Sequence, residues 1–319
     1  MIIMAHHVRR RTVMLGGMAA GLAAAGVAGH PAGAATSGSG GPAPTVTRGL
    51  GGFEVVALLD AHGPFFLTMD EAFDGATEHD WDRARRVDPG AFGPERTWNL
   101  NFRCFAVRLP SGGYALVDAG VGPEGSPASA WAPVPGELPR RLTEAGIGSC
   151  DVRIVVLTHL HADHAGWSVS PEGMPYFPNA RYVVQRTEIS ALERNGDETI
   201  LPYVVEPLRD SGQLDPVGGG VCLARTARGG LMTVPTPGHT PGHQSVLVRD
   251  HGEQILITGD VLVHAVQLVA PNVAYRFEAD PALARRTRRA LLDAAGEWPT
   301  WLATAHLTRP FLRAESGDR

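Results

Sequence analysis

The apolar run Ile154, Val155, Val156, Leu157 stops abruptly at residues 158–166, where His159, His161, Asp163 and His164 fall within six positions. A short apolar run of this kind reads as a strand buried on both faces. A buried strand that ends in three histidines and an aspartate is not a packing pattern. Imidazole is the commonest biological metal ligand, and a carboxylate adds a harder oxygen donor. The His-x-His spacing lets two rings converge on one ion as the chain leaves the strand. Asp163 and His164 then fall on the following turn, where they can face a second ion. The competing reading is a polar loop that caps a helix, with histidines that only hydrogen-bond. The density of the cluster at a strand end argues against it.

The same pattern recurs along the chain. Residues 231–236 lead to His239, residues 254–258 to Asp260 and residues 301–305 to His306. One histidine after a strand says little, but four such strand ends together say more. Layered α/β folds gather their sites at the carboxyl ends of strands, where loops converge on a rigid sheet. Residues 53–60 read as a strand. Residues 101–109 and 114–118 read as a hairpin, alternating at period two about the turn at Pro110, Ser111, Gly112 and Gly113. Residues 137–145 have helical spacing, with Leu138 and Leu142 on one face and Gly146 as the stop. A strand at 181–185 and a helix at 186–193 follow, ended by Asn195 and Gly196. Residues 201–214 are irregular or helical and carry Tyr203. A second hairpin joins 244–249 to 254–258. Asp280 and Pro281 start a helix that runs to about residue 295, with Leu283, Leu291 and Leu292 on its apolar side. Arg83, Arg85 and Arg86, in the polar segment 70–95, read as a solvated helix face.

His159, His161, Asp163 and His164, followed in order by His239, Asp260 and His306, resemble the signature of the metallo-β-lactamase-fold hydrolases. The resemblance covers nearly all of the chain beyond residue 50. It implies an α/β fold, a four-layer αββα metallo-β-lactamase sandwich, as a single domain over residues 51–319. It implies that His159, His161 and His239 hold one ion, that Asp163, His164 and His306 hold a second, and that Asp260 bridges both. Asp118, in the run Asp118, Ala119, Gly120, then supports the site from behind. An aspartate that organises a glycine turn is the other reading, and both can hold. The bridging aspartate narrows the family, because true β-lactamases lack it while glyoxalase-II-like and lactonase-like hydrolases have it. Residues 259–264, with Gln267, Leu268, Pro271, Asn272, Thr287 and Arg288, look like the quorum-quenching lactonase and methyl-parathion-hydrolase branch. Ligation by nitrogen and oxygen without thiolate favours two Zn2+ ions, although such sites also accept Mn2+, Fe2+ or Co2+. His243 reads as structural, His264 is left open, and His62, His79 and His251 are given no role.

This resemblance implies a dinuclear hydrolase that opens lactones of the acyl-homoserine type, by attack of a hydroxide bridging the two ions. Asp163 is then both ligand and proton shuttle. Tyr203 is a candidate counterpart of the tyrosine that touches the substrate carbonyl in the lactonase branch. The expected partner is a small-molecule lactone or ester. The alternatives are a phosphotriesterase, arylesterase or β-lactamase-like hydrolase on the same site, and, from another class, a non-catalytic metal-binding or sensing protein.

Composition bears on partners and compartment. A net charge of -5 without a basic stripe argues against a nucleic-acid partner. Hydrophobic content of 44% with 19% charged residues suits a soluble chain that buries a core. At the N-terminus Arg9, Arg10 and Arg11 precede a weakly apolar stretch, 15–28, too short to span a membrane. Ala32, Gly33 and Ala34 offer a small-x-small cleavage site. Residues 1–34 therefore read as a twin-arginine signal peptide, and the product as periplasmic or secreted, with no stable membrane span after cleavage. An unstructured tail and an uncleaved anchor are the other readings. Residues 35–50 read as a flexible linker. Of three cysteines, Cys104, Cys150 and Cys222, at least one stays unpaired. Cys104 and Cys222 lie in apolar segments and are expected to be buried. The oligomeric state stays open, a homodimer included.

Overall fold

The computed structural model describes residues 42–314. The signal-peptide expectation and the first part of the linker lie outside the described residues. The last part of that linker is not a linker: Thr45–Leu50 form strand β1, paired antiparallel with β2 (Phe53–Pro64). Gly51, at φ +56°, makes the turn between them. A polar, glycine-containing composition hid the strand, because its pairing partner fixes it rather than its own hydrophobicity.

The chain continues through α1 (Met69–Ala72), β3 (Phe73–Asp74), α2 (Glu78–Val87), β4 (Asn99–Arg108), β5 (Tyr114–Val117), α3 (Leu138–Glu144) and β6 (Val152–Val156). Next come α4 (Ala162–Ala165), β7 (Arg181–Gln185), α5 (Arg186–Asn195), α6 (Glu206–Asp210) and β8 (Leu214–Val217). The remainder is β9 (Cys222–Arg225), β10 (Gly230–Pro235), β11 (Gln244–Asp250), β12 (Glu253–Ile257), α7 (Ala265–Val269), β13 (Ala274–Tyr275), α8 (Pro281–Gly296), β14 (Thr300–Ala303) and β15 (Phe311–Arg313). One sheet has the order β1-β2-β4-β5-β6-β7-β8, and a second the order β15-β14-β12-β11-β10-β9. β5 to β8 pair in parallel, as do β12 and β14, and helices make the crossovers.

Three apolar layers hold this together. Phe105, Val107, Val117 and Val156 from the first sheet meet Leu231, Val246, Val248 and Ile255 from the second in a core between the sheets. Leu138, Leu142, Ile189 and Leu208 cover the outer face of the first sheet. Leu291, Leu292 and Ala295 of α8 cover Leu256 and Leu302 on the second. The result is the four-layer αββα sandwich. Each fully buried Val, Ile or Leu contributes about 1.5–3 kcal/mol.

The expected hairpins and helices form where the sequence places them. Gly146 and Gly196 end α3 and α5 at φ +72° and +63°, and the Asp280 carboxylate caps α8 by accepting from the Leu283 N–H at 2.9 Å. Arg83, Arg85 and Arg86 are exposed on α2. Three details differ. Leu283 is only half-buried, because Ala284 and Arg288 take the inward positions on α8. Cys222 is exposed on the edge strand β9, while Cys104 is buried as expected. The period-two polar positions of β4, Asn101 and Arg103, are buried, because layers cover both faces of that strand. Among the described residues, no helix is long and apolar enough to cross a membrane.

Candidate metal centre

All four ligand-bearing segments leave the carboxyl ends of their strands: 159–164 after β6, His239 after β10, Asp260 after β12 and His306 after β14. They gather into two groups. Potential ligand atoms of His159, His161, His239 and Asp260 lie within 4.8 Å of one another, and so do those of Asp163, His164 and His306. Asp260 stands between the groups. Its Oδ2 is 3.3 Å from His239 Nε2 and 3.9 Å from His159 Nε2. Its Oδ1 is 2.9 Å from His306 Nε2 and 3.2 Å from His164 Nε2.

These contacts suit metal ions better than they suit each other. His159 Nε2 and Asp260 Oδ1 are buried and have no aligned hydrogen-bond partner, which is costly for a polar atom unless an ion takes the place. His239 Nε2 and His161 Nδ1 are 3.0 Å apart, and His164 Nε2 and His306 Nε2 are 3.2 Å apart. Two nitrogens bound tetrahedrally to one Zn2+ at 2.0–2.1 Å stand about 3.3 Å apart. Five imidazoles and two carboxylates, with no thiolate among them, make a nitrogen- and oxygen-rich donor set.

The electrostatics of the two groups differ. Burial holds His159 and His239 well below the usual imidazole range, hence neutral and able to donate a lone pair. Burial also opposes charge on His164, but Asp260, Asp163 and Asp118 outweigh it and raise that histidine well above the usual range. Burial likewise pushes Asp163 and Asp260 upward. Positive charge on His164 and His306 overrides it in both cases, so both carboxyls end below their ordinary range and stay ionised.

His164, His306 and Asp260 are oriented from behind. Asp118 Oδ2 accepts from His164 Nδ1 at 2.8 Å, and its carboxylate also accepts from the Thr158 backbone N–H at 2.8 Å and the Thr158 hydroxyl at 3.0 Å. Asp118 sits at φ +62°, so it organises the turn as well as supporting the ligand. His306 Nδ1 donates to the Asn101 carbonyl at 2.6 Å, while Arg103 donates to the Leu307 carbonyl and, at 2.8 Å, to that of Thr308. The buried polar positions of β4 therefore hold the His306 loop. His243 is a support, as expected. Its Nε2 accepts from the Asp260 N–H at 3.0 Å, and burial pushes its pKa down to about 4, keeping it a neutral acceptor. Gly259, at φ +52°, makes room for that contact, since a Cβ there falls 2.6 Å from His243 Nε2.

Glu188 and Tyr275 lie beside the ligands without a sequence signal, and Tyr203 stands apart from them. Glu188 on α5 is buried and ties two ligand loops together, accepting from Leu160 N–H at 3.1 Å and Gly242 N–H at 2.8 Å. It looks like an ordinary helix-surface glutamate, so no sequence signal marks it. Tyr275 stacks on the His239 ring, with centroids 6.1 Å apart and planes 8° apart. Burial, then Asp260 and Asp163, holds its hydroxyl well above the ordinary phenol range, so it stays a neutral donor. Tyr203 packs against the outer core of the first sheet, with its hydroxyl 3.4 Å from the Gly166 carbonyl. The structure does not bring it into the ligand cluster. His264, left open above, caps α7 by accepting from Val266 N–H at 3.1 Å, among the rings of Phe73, Trp81, Phe92 and Trp98.

Residues 103–295 match the family model described as the metallo-beta-lactamase superfamily. The chain belongs to that superfamily. Among curated relatives, it is 32% identical over 128 residues to the N-acyl homoserine lactonase AttM of Rhizobium radiobacter, covering 36% of this chain and 43% of AttM. It is 32% identical over 123 residues to the N-acyl homoserine lactonase AiiA of Bacillus thuringiensis subsp. kurstaki, covering 37% and 42%. The chain thus spans less than half the length of the curated relatives it matches. Among solved structures, the hydrolase AbOPH of the beta lactamase superfamily superposes with a TM-score of 0.70 at 24% identity, over 86% of this chain and 94% of AbOPH. AidC, a dizinc quorum-quenching lactonase, superposes at 0.66 with 17% identity, over 86% and 98%. Membership in the superfamily accounts for the αββα layers and for the ligands at strand ends.

Proposed function

We propose that this protein is a two-metal hydrolase that opens lactones. The observation that carries the reading is the position of Asp260, with one oxygen toward each ligand group. His159, His161 and His239 would hold one divalent ion, Asp163, His164 and His306 the other, with Zn2+ the best match to the donor set. Ions bound there supply a polarised carbonyl oxygen, a water acidified to near neutrality and a counter-charge for the leaving alkoxide. The chain's own part is positioning and proton handling. Asp163 Oδ2 faces His164 and His306 at 3.4 and 3.7 Å, which leaves Oδ1 to take a proton from the attacking water and return it to the leaving oxygen. Tyr275, whose ring lies parallel to that of His239, would donate to the substrate carbonyl in place of Tyr203. The buried walls exclude bulk water and strengthen each of these contacts. Arg9 to Arg11 and the apolar stretch after them support export of this hydrolase as part of the same proposal.

The test is turnover by the purified chain with metal content measured alongside. The panel holds acyl-homoserine lactones, γ- and δ-lactones, aryl esters, an aryl phosphotriester and a chromogenic cephalosporin. We expect chelator-sensitive lactone opening with two ions per chain. Inert lactones beside rapid cleavage of the phosphotriester or cephalosporin, or full activity with one ion, would overturn the reading.

A further inference from the structure

A closed circuit of rings rises from the metal ligands. His306 meets Phe102 at 5.8 Å, Phe102 meets Trp131 at 5.7 Å, and Trp131 meets Phe66 at 6.2 Å. Phe66 meets Phe277 at 6.2 Å, Phe277 meets Tyr275 at 5.4 Å, and Tyr275 meets His239 at 6.1 Å. The ligand rings close it, through His239 to His159 at 4.8 Å, His159 to His164 at 4.2 Å and His164 to His306 at 5.1 Å. Exposure grows with distance from the ligands. Phe102 and Tyr275 are 3% and 6% exposed, whereas Phe66 and Phe277 are 57% and 41% exposed. Buried Phe65 packs on Phe66, Trp131 and Phe277 and fixes them from behind.

Exposed phenylalanines are unfavourable in water unless something covers them. Phe66 and Phe277 are two of the four large apolar side chains exposed among the described residues, and they touch each other above the site. The five collar residues offer only two polar side-chain groups, the Tyr275 hydroxyl and the Trp131 indole N–H. A group lying among them is therefore apolar. The rings pack on one another with centroids 5.4–6.2 Å apart, and the π-surface they present together rewards a flat π-system over a saturated group of equal size.

We propose that this collar binds an aromatic ring carried beside the scissile bond, so that the preferred substrate class is an aryl-substituted lactone. The proposal rests on the lactone-hydrolase reading and names its substrate. The test compares γ-phenyl-γ-butyrolactone with γ-cyclohexyl-γ-butyrolactone, each a five-membered lactone opening to a secondary alkoxide, with kcat/KM divided by the hydroxide-catalysed rate of the same lactone because the phenyl group makes its alkoxide the better leaving group. We expect kcat/KM so divided to favour the phenyl lactone by about 10-fold, the scale of one to two ring contacts. Replacing both lip residues, Phe66→Leu with Phe277→Leu, should bring the ratio to within about 2-fold of unity, since leucine keeps bulk without the π-face. If the double variant fails to fold, Phe66→Leu alone should still lower the ratio. Equal or reversed preference in the unaltered protein, or a ratio the variants leave untouched, overturns the proposal. The matching γ-lactams, which are not hydrolysed, separate the two readings. Calorimetric dissociation constants on the metal-loaded protein should favour the phenyl lactam by a similar factor even if no lactone is turned over. In that case the hydrolase reading fails and the collar stands, whereas equal lactam affinities remove the collar.

Discussion

The two halves of the metal centre are built differently. His159, His161, Asp163 and His164 come from one strand end and one turn, so their mutual placement is largely local. His239, Asp260 and His306 come from three separate loops, and each depends on a distant partner. Ala279 N–H donates to the His239 carbonyl at 2.9 Å, His243 holds Asp260, and Asn101, 205 residues away, holds His306. The contiguous half is thus a motif, whereas the dispersed half is a product of sheet packing. The difference teaches that damage to the dispersed ligands can start far from the site.

The sharpest way to break this comparison is Asp260→Ala. Asp260 sets one carboxylate oxygen near each group. The variant should lose one or both ions and nearly all activity, a drop of at least about 10³-fold for a residue on which both metals depend. Full metal content together with full turnover would remove Asp260 from its bridging role.

A smaller effect should come from beneath the contiguous half. Asp60 is fully buried and accepts from Val121 N–H at 2.7 Å and Leu138 N–H at 2.6 Å. It clamps the 119–122 loop, against which residues 164–167 lie. Burial pushes its carboxyl up to about 7 from an ordinary 3.8. The folded chain therefore holds this proton more tightly than the unfolded chain does. The stabilisation is complete below about pH 4 and is lost as pH rises through about 7. Asp60→Asn lacks that titration, so the stability gap between the parent and the variant should shrink by about 2–3 kcal/mol between pH 5 and 8. Urea unfolding at several pH values measures it, and a gap that stays constant would show that Asp60 does not titrate in this range.

The smallest effect should follow Asp118→Asn, which keeps the shape of the turn, since asparagine tolerates positive φ. It weakens the acceptor behind His164. Metal affinity should fall about 10–100-fold, the usual cost of losing a support behind a ligand. Chelator competition reads it. Unchanged affinity would mean that the contiguous half needs no help from outside its own turn, which would sharpen the contrast with the dispersed half.

The elements were legible where local rules act. The Asp280 cap, the Gly146 and Gly196 stops and both hairpins follow from backbone preferences that operate within a few residues. Strand β1 was not legible, because an edge strand of threonine, valine and glycine has no hydrophobic pattern of its own and exists through pairing with β2. Cys222 looked buried for the converse reason: an apolar neighbourhood in sequence does not say that a strand lies at the edge of its sheet. In the site, the seven ligand candidates were legible because metal-competent side chains rarely follow apolar runs four times in one chain. The layer that Tyr203 or Tyr275 occupies is not written in its neighbouring residues, and the short segment before Asp280 carries no pattern that marks Tyr275.

By itself, the sequence determined the α/β layering, the ligand types and the strand ends from which they emerge, because periodicity, turn chemistry and donor identity are properties of neighbouring residues. Tertiary structure alone decided which oxygen of Asp260 faces which group. It also decided that buried Glu188, Asn101 and His243 hold the loops, and that rings from four separate segments meet above the ligands. Those facts depend on contacts between residues tens to hundreds of positions apart, and such contacts exist only once the two sheets have packed.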